Sequence, residues 1–147
     1  MIERSAINPI LVVEDSPEDY EVLTRAFKKA EILLPLRHCK DGAEAMDYLK
    51  CRGEYQNDTS CIRPAFVLMD LNLPGVDGTH MIQQIKDDPT LTTIPLIVFT
   101  TSRSEKDVEE TYRAGANSFM PKPVDMEGYV KVAQILKSYW FEYAILP

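Results

Sequence analysis

The sequence has few cysteines, no long apolar run and a deficit of basic residues, and each of these excludes a class of protein. Its cysteines, Cys39, Cys51 and Cys61, are odd in number and lack the spacing of metal ligands, so we expect free thiols in a reducing compartment. No apolar run approaches the ~20 residues that span a bilayer, which argues against membrane insertion. The N-terminus, MIERSAINPI, is not built like a signal peptide, so we expect a cytoplasmic location.

The charge balance is acidic, with 16 Lys and Arg against 23 Asp and Glu and a formal net charge of −7. Direct binding to nucleic acid is not expected, because phosphate contacts need clustered basic residues. Hydrophobic residues make up 45% of the 147 residues, as in ordinary globular proteins. A chain of this length is expected to form one domain with a buried core.

Short apolar runs alternate with helical patterns along the chain. We expect strands at 10–13, 36–39, 66–69, 96–99 and 118–120. The first, third and fourth are apolar without alternation, which is typical of strands covered on both faces, whereas the second is mixed and fits an edge. Helix signals follow each strand, such as the N-cap Ser16 before Pro17 and the cap Ser104 of a helix that ends before Gly115. The pattern predicts a doubly wound α/β fold with a parallel sheet.

Acidic residues follow two of the buried strands. Glu14 and Asp15 come directly after the first, and Asp70 directly after the third. Ligands of doubly wound sheets bind beyond the carboxyl ends of the strands where strand order reverses, so an order of 2-1-3-4-5 would bring these carboxylates together. Their repulsion needs a cation, and oxygen ligands favour Mg²⁺ or a similar hard ion such as Mn²⁺. A simpler alternative is that Glu14 and Asp15 only cap and polarise the helix that follows them.

Two more polar groups are expected at the same edge. Thr100 ends the fourth strand, and Lys122 follows the fifth, beside a proline that could form a cis bond. Singly, such a Thr is usually a turn residue and such a Lys a surface charge. Together with the carboxylates they suit phosphoryl transfer, in which a carboxylate is the nucleophile and the cations and hydroxyl stabilise phosphoryl oxygens.

Four segments carry a family resemblance: VVEDSPED, LMDLNLPGVDG, IVFTTS and AGANSFMPKPVD. They are spaced by 55 residues from Asp15 to Asp70, 30 more to Thr100 and 22 more to Lys122. Over nearly its whole length the sequence resembles the receiver domains of two-component response regulators. The resemblance implies the flavodoxin-like receiver fold, a five-stranded parallel sheet of order 2-1-3-4-5. It also implies a signalling protein, not an enzyme with a separate substrate, whose only catalysis is its own phosphorylation and dephosphorylation.

The resemblance also implies residue roles. Asp70 looks like the phosphoacceptor, taking a phosphoryl group from a phosphohistidine of a sensor histidine kinase. Asp15, Asp70 and the backbone carbonyl of Asn72 would ligate Mg²⁺, and Glu14 would help to hold the ion through water.

Other residues would report phosphorylation. Lys122 would pair with the phosphoryl oxygens, with a cis bond to Pro123, and Thr100 would reorient while Phe119 turns inward as the aromatic switch. The signalling surface would be the fourth helix, fifth strand and fifth helix. Thr101 departs from the family's small residue there, and Phe119 lacks the hydroxyl of the family's frequent Tyr.

The connection 51–64, the loop YLKCRGEYQN and the ending Leu146-Pro147 narrow the resemblance to stand-alone response regulators paired with cyanobacterial phytochrome histidine kinases. We therefore expect residues 1–147 to form one receiver domain without an output domain, and a phytochrome as a candidate partner. His38 and His80 lack the context of a kinase histidine, so we expect structural or surface roles for them.

The apolar tail, about residues 138–147, is unusual for a chain end, where fraying is normal. It could fold back on the monomer's own core. The alternative that we favour is a symmetric homodimer, because aromatic residues anchor interfaces and exposed apolar area needs a partner. The candidate contact residues are Tyr139, Trp140, Phe141 and Tyr143.

The sequence gives less support to three other functions. A degenerate receiver acting only as a binding scaffold would not need Asp70, Thr100 and Lys122 intact. A phosphatase of the aspartyl-nucleophile class needs a second Asp where this chain has Asn72. A flavin-binding module would need Ser, Thr and Gly around its phosphate, but the first loop here is acidic.

Overall fold

A computed structural model of the chain describes residues 8–57, 61–75 and 77–147. Its strands are β1 (Ile10–Val13), β2 (Leu36–Cys39), β3 (Phe66–Met69), β4 (Leu96–Thr100) and β5 (Ser118–Pro121). Its α-helices are α1 (Pro17–Lys29), α2 (Gly42–Leu49), α3 (Gly78–Asp87), α4 (Glu105–Ala114) and α5 (Met126–Leu136). A 3₁₀ turn, Gly53–Tyr55, follows α2, and a π-helical segment, Lys137–Tyr143, extends α5. No helix in these ranges is long and apolar enough to cross a membrane.

The strands form one parallel sheet in the order β2-β1-β3-β4-β5. The strands β1, β3 and β4 are buried along their whole length, whereas β2 and β5 are partly exposed edges. The predicted doubly wound fold is therefore confirmed. Because strand order reverses between β1 and β3, the loops that follow these two strands border the crevice where such sheets bind ligands.

Helices cover both faces of the sheet. Leu11 and Val13 of β1 pack in the core cluster that also contains buried residues of α2, α3 and α4. Ile10 and Val12 point the other way, into the cluster with α1 and α5. This alternation along a strand is the two-residue period of β-structure. Each fully buried Ile, Leu or Val contributes about 1.5–3 kcal/mol, which accounts for the unbroken apolar runs of the central strands.

Local signals define the helix ends as the sequence predicts. Ser16 caps α1, and its hydroxyl accepts a hydrogen bond from the Asp19 N–H at 3.2 Å. Ser104 caps α4 in the same way, and α4 ends at Gly115 with φ +114°. A side chain is strained at that φ, and a Cβ at Gly115 would lie 2.7 Å from Cγ of Lys86. Gly115 therefore permits both the left-handed turn and the close approach of α3.

The expectation of free thiols is wrong for two of the cysteines. Cys51 and Cys61 form a disulfide, and their Cα atoms lie 6.0 Å apart, within the range that the bond requires. Cys39 is free and buried at the end of β2. Burial, helped by the nearby Glu44 carboxylate, raises the pKa of the Cys39 thiol to about 12, so it is uncharged at neutral pH.

The aromatic residues of the tail differ in burial. Trp140 and Phe141 pack on Phe66 of β3, with ring centroids 6.1 and 5.6 Å apart, whereas Tyr139 is 58% and Tyr143 80% exposed. The π-helical segment changes the helical period after Leu136. Its hydrogen bonds span five residues, as from the Ala144 N–H to the Tyr139 carbonyl at 2.7 Å, and this turns Tyr139 outward.

Candidate functional site

The parallel register brings the predicted acidic residues to one edge of the sheet. Val13 of β1 pairs with Met69 of β3, so the residues that follow them, Glu14 and Asp70, lie level with each other. The Asp70 N–H donates to the Val13 carbonyl at 3.1 Å, and the Glu14 N–H donates to the Cys39 carbonyl at 3.0 Å. The ladder thus continues one residue beyond the strands and holds both carboxylates at the reversal of strand order.

Lys122 reaches this pair from β5. Its N–H donates to the Thr100 carbonyl at 2.7 Å, which fixes the residue beside the end of β4. Its Nζ donates to Glu14 Oε1 at 2.6 Å and to Asp70 Oδ2 at 2.7 Å. Glu14, Asp70 and Lys122 are each only 5–6% exposed. The predicted convergence of the carboxylates and the lysine is confirmed in geometry, and the ammonium lies between the carboxylates.

Burial and pairing shift the ionisation of this cluster. Burial raises the pKa of Glu14, and its hydrogen bond with Lys122 only partly opposes this. Burial lowers the pKa of Lys122, but hydrogen bonds to three carboxylates outweigh it and leave that pKa raised. A raised carboxyl pKa means that the Glu14 contribution to stability is present below its unfolded value of 4.5 and is lost as the pH rises through the folded pKa. At neutral pH, a second cation beside Glu14 would offset the free-energy cost of keeping this buried carboxylate ionised.

The carboxylates have the geometry of a metal site. Glu14, Asp15 and Asp70 each offer one oxygen, and these oxygens lie within 4.8 Å of one another. Asp15 is exposed, so solvent and ions reach the cluster from its side. The Asn72 N–H donates to Asp70 Oδ1 at 3.0 Å, which holds the loop after β3 close to the same carboxylate. Oxygen donors alone, with no sulfur or imidazole in the set, fit a hard divalent cation.

The two residues expected to switch lie near the edge, and among the described residues neither side chain forms a hydrogen bond with the carboxylates or with the Lys122 ammonium. Thr100 is fully buried, and its hydroxyl accepts a long hydrogen bond, 3.5 Å, from the Ser102 N–H. Phe119 is half-buried against the α2–α3–α4 side of the sheet. Its N–H donates to the Tyr112 hydroxyl at 3.2 Å. Thr101, which follows Thr100, is exposed.

Comparison with known proteins identifies the family. The profile of the response regulator receiver domain matches residues 10–134. The chain belongs to the response regulator receiver family. The response regulator Rcp1 of Synechocystis is 38% identical over 138 residues, which cover 94% of this chain and 92% of Rcp1.

Solved structures of similar receivers agree in fold. The Mn²⁺-bound form of Rcp1 superimposes with a TM-score of 0.84 at 37% identity, over 95% of this chain and 99% of that one. The phosphorylated cyanobacterial phytochrome response regulator RcpA gives a TM-score of 0.87 at 34% identity, over 97% and 99% of the two chains. The metal in the first of these agrees with the divalent-cation site that the three carboxylates form in this receiver.

One residue of the receiver site was missed by the sequence analysis. Asp19 Oδ2 accepts the third hydrogen bond from Lys122 Nζ, at 2.7 Å. Asp19 lies in the first turn of α1, where an acidic residue is explained by the helix dipole alone. The available signal was its position four residues after Asp15, at the start of a helix that leaves the loop of the site.

The structure places the remaining candidates of the receiver domain plainly. His38 Nε2–H donates to the Glu14 carbonyl at 2.7 Å and its ring stacks on Tyr20 at 3.8 Å, which fits a structural role, while His80 is exposed. The expectation of a cis bond between Lys122 and Pro123 is wrong. No peptide bond among the described residues is cis, and trans is the form that X–Pro bonds favour by about 0.5–1 kcal/mol.

Proposed function

We propose that the protein accepts a phosphoryl group on Asp70 from a phosphohistidine of a sensor histidine kinase. The observation that carries the proposal is the buried Asp70 carboxylate, 2.7 Å from Lys122 and within reach of a divalent cation. An Asp70 oxygen attacks phosphorus and forms a P–O bond. The P–N bond to histidine breaks, and its electron pair stays on the ring nitrogen, which a proton can then occupy. Apart from catalysing its own phosphorylation and dephosphorylation, the protein would have no enzymatic activity.

The polar groups around Asp70 would divide the work. Asp15, Asp70 and the Asn72 backbone carbonyl would hold Mg²⁺ or Mn²⁺ directly, and Glu14 would do so through water. The bound cation supplies positive charge against the phosphoryl oxygens. Lys122 neutralises another phosphoryl oxygen, for which its ammonium must give up one of its present carboxylate partners.

Signal output would follow from the buried hydroxyl and the aromatic residue next to it. We expect Thr100 to turn its hydroxyl toward the phosphoryl group. The present hydrogen bond of this hydroxyl, 3.5 Å from the Ser102 N–H, holds it only weakly. The space that Thr100 leaves admits Phe119, which is half-buried on β5 and pairs with Val98, two residues before Thr100. Because Phe119 has no hydroxyl, this switch rests on packing alone. The surface of α4, β5 and α5 would change with it.

The partner would be a kinase of the phytochrome type. The similar protein RcpA is described as a cyanobacterial phytochrome response regulator, and Rcp1 is 38% identical. We infer a cytoplasmic location, where such a kinase presents its phosphohistidine. Direct nucleic-acid binding is not part of the proposal, because the chain carries a net charge of −7.

Incubation with a small phosphodonor and Mg²⁺ tests the function without knowledge of the kinase. We expect intact-protein mass spectrometry to show a gain of one phosphoryl group that is stable in acid and lost in base, as an acyl phosphate requires. Addition of EDTA should prevent the gain. A wild-type protein that gains no phosphoryl group would overturn the proposal and favour a degenerate receiver that acts as a scaffold.

We also propose that residues 1–147 act as one receiver domain and that its tail, about residues 138–147, forms a homodimer contact. Trp140 and Phe141 shape this surface by packing on Phe66, and Tyr139 and Tyr143 present exposed rings. Exposed aromatic side chains, such as these at one end of a helix, are typical anchors of protein interfaces.

Light scattering at tens of micromolar tests the contact. We expect the wild type to have the mass of a dimer and the Tyr139→Glu/Tyr143→Glu variant to have that of a monomer, because two charges would be desolvated at the interface. Tyr112→Glu is the control, since Tyr112 is 49% exposed on α4, outside the tail. A monomeric wild type, or equal loss of mass in both variants, would contradict the tail contact.

A further inference from the structure

Asp19 contributes a fourth carboxylate to the site, and among the described residues this carboxylate accepts a hydrogen bond only from Lys122. The Oδ2 to Nζ distance is 2.7 Å, equal to that of the Asp70 pair. The Asp19 side chain is 38% exposed, in contrast to 7% for those of Glu14 and Asp70. Asp19 therefore joins the buried cluster from its solvent side.

The cluster carries more negative charge than its lysine can balance. Glu14, Asp15, Asp19 and Asp70 supply four negative charges and Lys122 one positive charge, which leaves −3. A divalent cation reduces this to −1. Every carboxylate here therefore strengthens cation binding through its charge, including Asp19, which is outside the group of carboxylates that could hold the ion.

The same charge opposes the phosphoryl group. The Lys122 ammonium has three protons, and all three are donated to Glu14, Asp19 and Asp70. A phosphoryl oxygen can pair with Lys122 only by displacing one of them. Glu14 is buried and also accepts a hydrogen bond from the Ser16 N–H at 3.2 Å, and Asp70 is the residue that reacts. Asp19 is the carboxylate that water can solvate when it leaves.

We propose that Asp19 is a positioning residue, a counter-ion that holds Lys122 in the unphosphorylated protein and competes with the phosphoryl group for it. The proposal rests on the proposed function of Asp70. It predicts two opposite effects of removing the Asp19 charge. Cation binding becomes weaker, because the cluster loses one negative charge. Phosphorylation at saturating Mg²⁺ becomes faster, because Lys122 has one competitor fewer and the anionic donor meets less repulsion.

Asp19→Asn tests both effects, and Glu18→Gln is its matched control. Glu18 lies in the same first turn of α1, and its replacement by Gln removes the same charge. The Glu18 carboxylate is exposed, and it accepts a hydrogen bond from the Ser16 hydroxyl rather than from Lys122. Mn²⁺ affinity of the unphosphorylated protein is measured by titration calorimetry. The phosphorylation rate at saturating Mg²⁺ is measured by quenched mass spectrometry with a small phosphodonor. We expect Asp19→Asn to weaken Mn²⁺ binding and to accelerate phosphorylation, each by about three- to tenfold.

The outcomes separate a positioning role from a structural one. Glu18→Gln should leave both quantities near wild type, and Asp19→Glu, which keeps the charge, should restore both. Equal effects of the two neutral variants, unchanged Mn²⁺ affinity in Asp19→Asn, or slower phosphorylation of that variant would each overturn the role of Asp19. A wild type that is never labelled would overturn the proposed function and this inference together, whereas a labelled wild type with unaltered variants would overturn this inference alone.

Discussion

Asp70→Asn is expected to abolish phosphoryl labelling by a small phosphodonor at saturating Mg²⁺. The amide has the shape of the carboxylate but cannot form an acyl phosphate, and no other carboxylate of the cluster follows β3. Intact-protein mass spectrometry is the measurement. Asp87→Asn is the matched control, because Asp87 is exposed at the end of α3 and makes the same change of charge.

Stability distinguishes loss of chemistry from loss of fold in this variant. The cluster holds an excess of negative charge, so replacing one buried carboxylate with an amide relieves repulsion even though it weakens a bond to Lys122. In EDTA, we expect the urea unfolding free energy of Asp70→Asn to stay within about 1 kcal/mol of wild type or to exceed it. Undiminished labelling of Asp70→Asn, or labelling lost equally in Asp87→Asn, would remove Asp70 from the role of phosphoacceptor.

Lys122→Met is expected to cause the largest loss of stability. The side chain keeps a similar length, but Glu14 and Asp70, which are each only 5–6% exposed, lose the ammonium that lies between their carboxylates. Breaking a buried ion pair by removing one partner costs about 3–5 kcal/mol. We therefore expect a loss of that size in urea unfolding measured in EDTA.

Divalent cation should restore part of this stability, because it neutralises the same carboxylates. The difference in unfolding free energy between Mg²⁺ and EDTA is therefore expected to be larger for Lys122→Met than for wild type. Lys86→Met is the control, since the Lys86 ammonium donates to the carbonyls of Thr92 and Ile94 rather than to carboxylates. Its loss should be the same with and without Mg²⁺. An effect of Lys122→Met that is equally independent of Mg²⁺ would contradict the electrostatic explanation.

The fold could be derived largely from local patterns. The apolar strands Ile10–Val13 and Phe66–Met69 are buried throughout, and the caps Ser16 and Ser104 start helices where the sequence predicts them. These features depend on neighbouring residues and on the period of the chain, both of which the sequence contains. The edge of the sheet that gathers Glu14, Asp70 and Lys122 follows from parallel strands with their acidic and basic residues at the ends.

Contacts across the fold could not be derived in this way. The hydrogen bond between Lys122 and Asp19 joins residues 103 positions apart, and it forms only if α1 packs with its first turn close to the site. The disulfide between Cys51 and Cys61 depends on two cysteines meeting across a sequence segment without a periodic pattern. The outward turn of Tyr139 depends on a change of helical period near Phe66 that no cap or proline announces.

The sequence alone thus determined that the acidity of this protein is concentrated in part at one edge of a parallel sheet, because strand ends are set by local hydrophobic pattern. Only the tertiary structure decided how that charge is shared. The ammonium of Lys122 donates hydrogen bonds of 2.6–2.7 Å to three carboxylates, and one of these carboxylates belongs to a helix rather than to a strand end. The physical reason is that ion pairing depends on distance in space, which side-chain packing sets and sequence spacing does not.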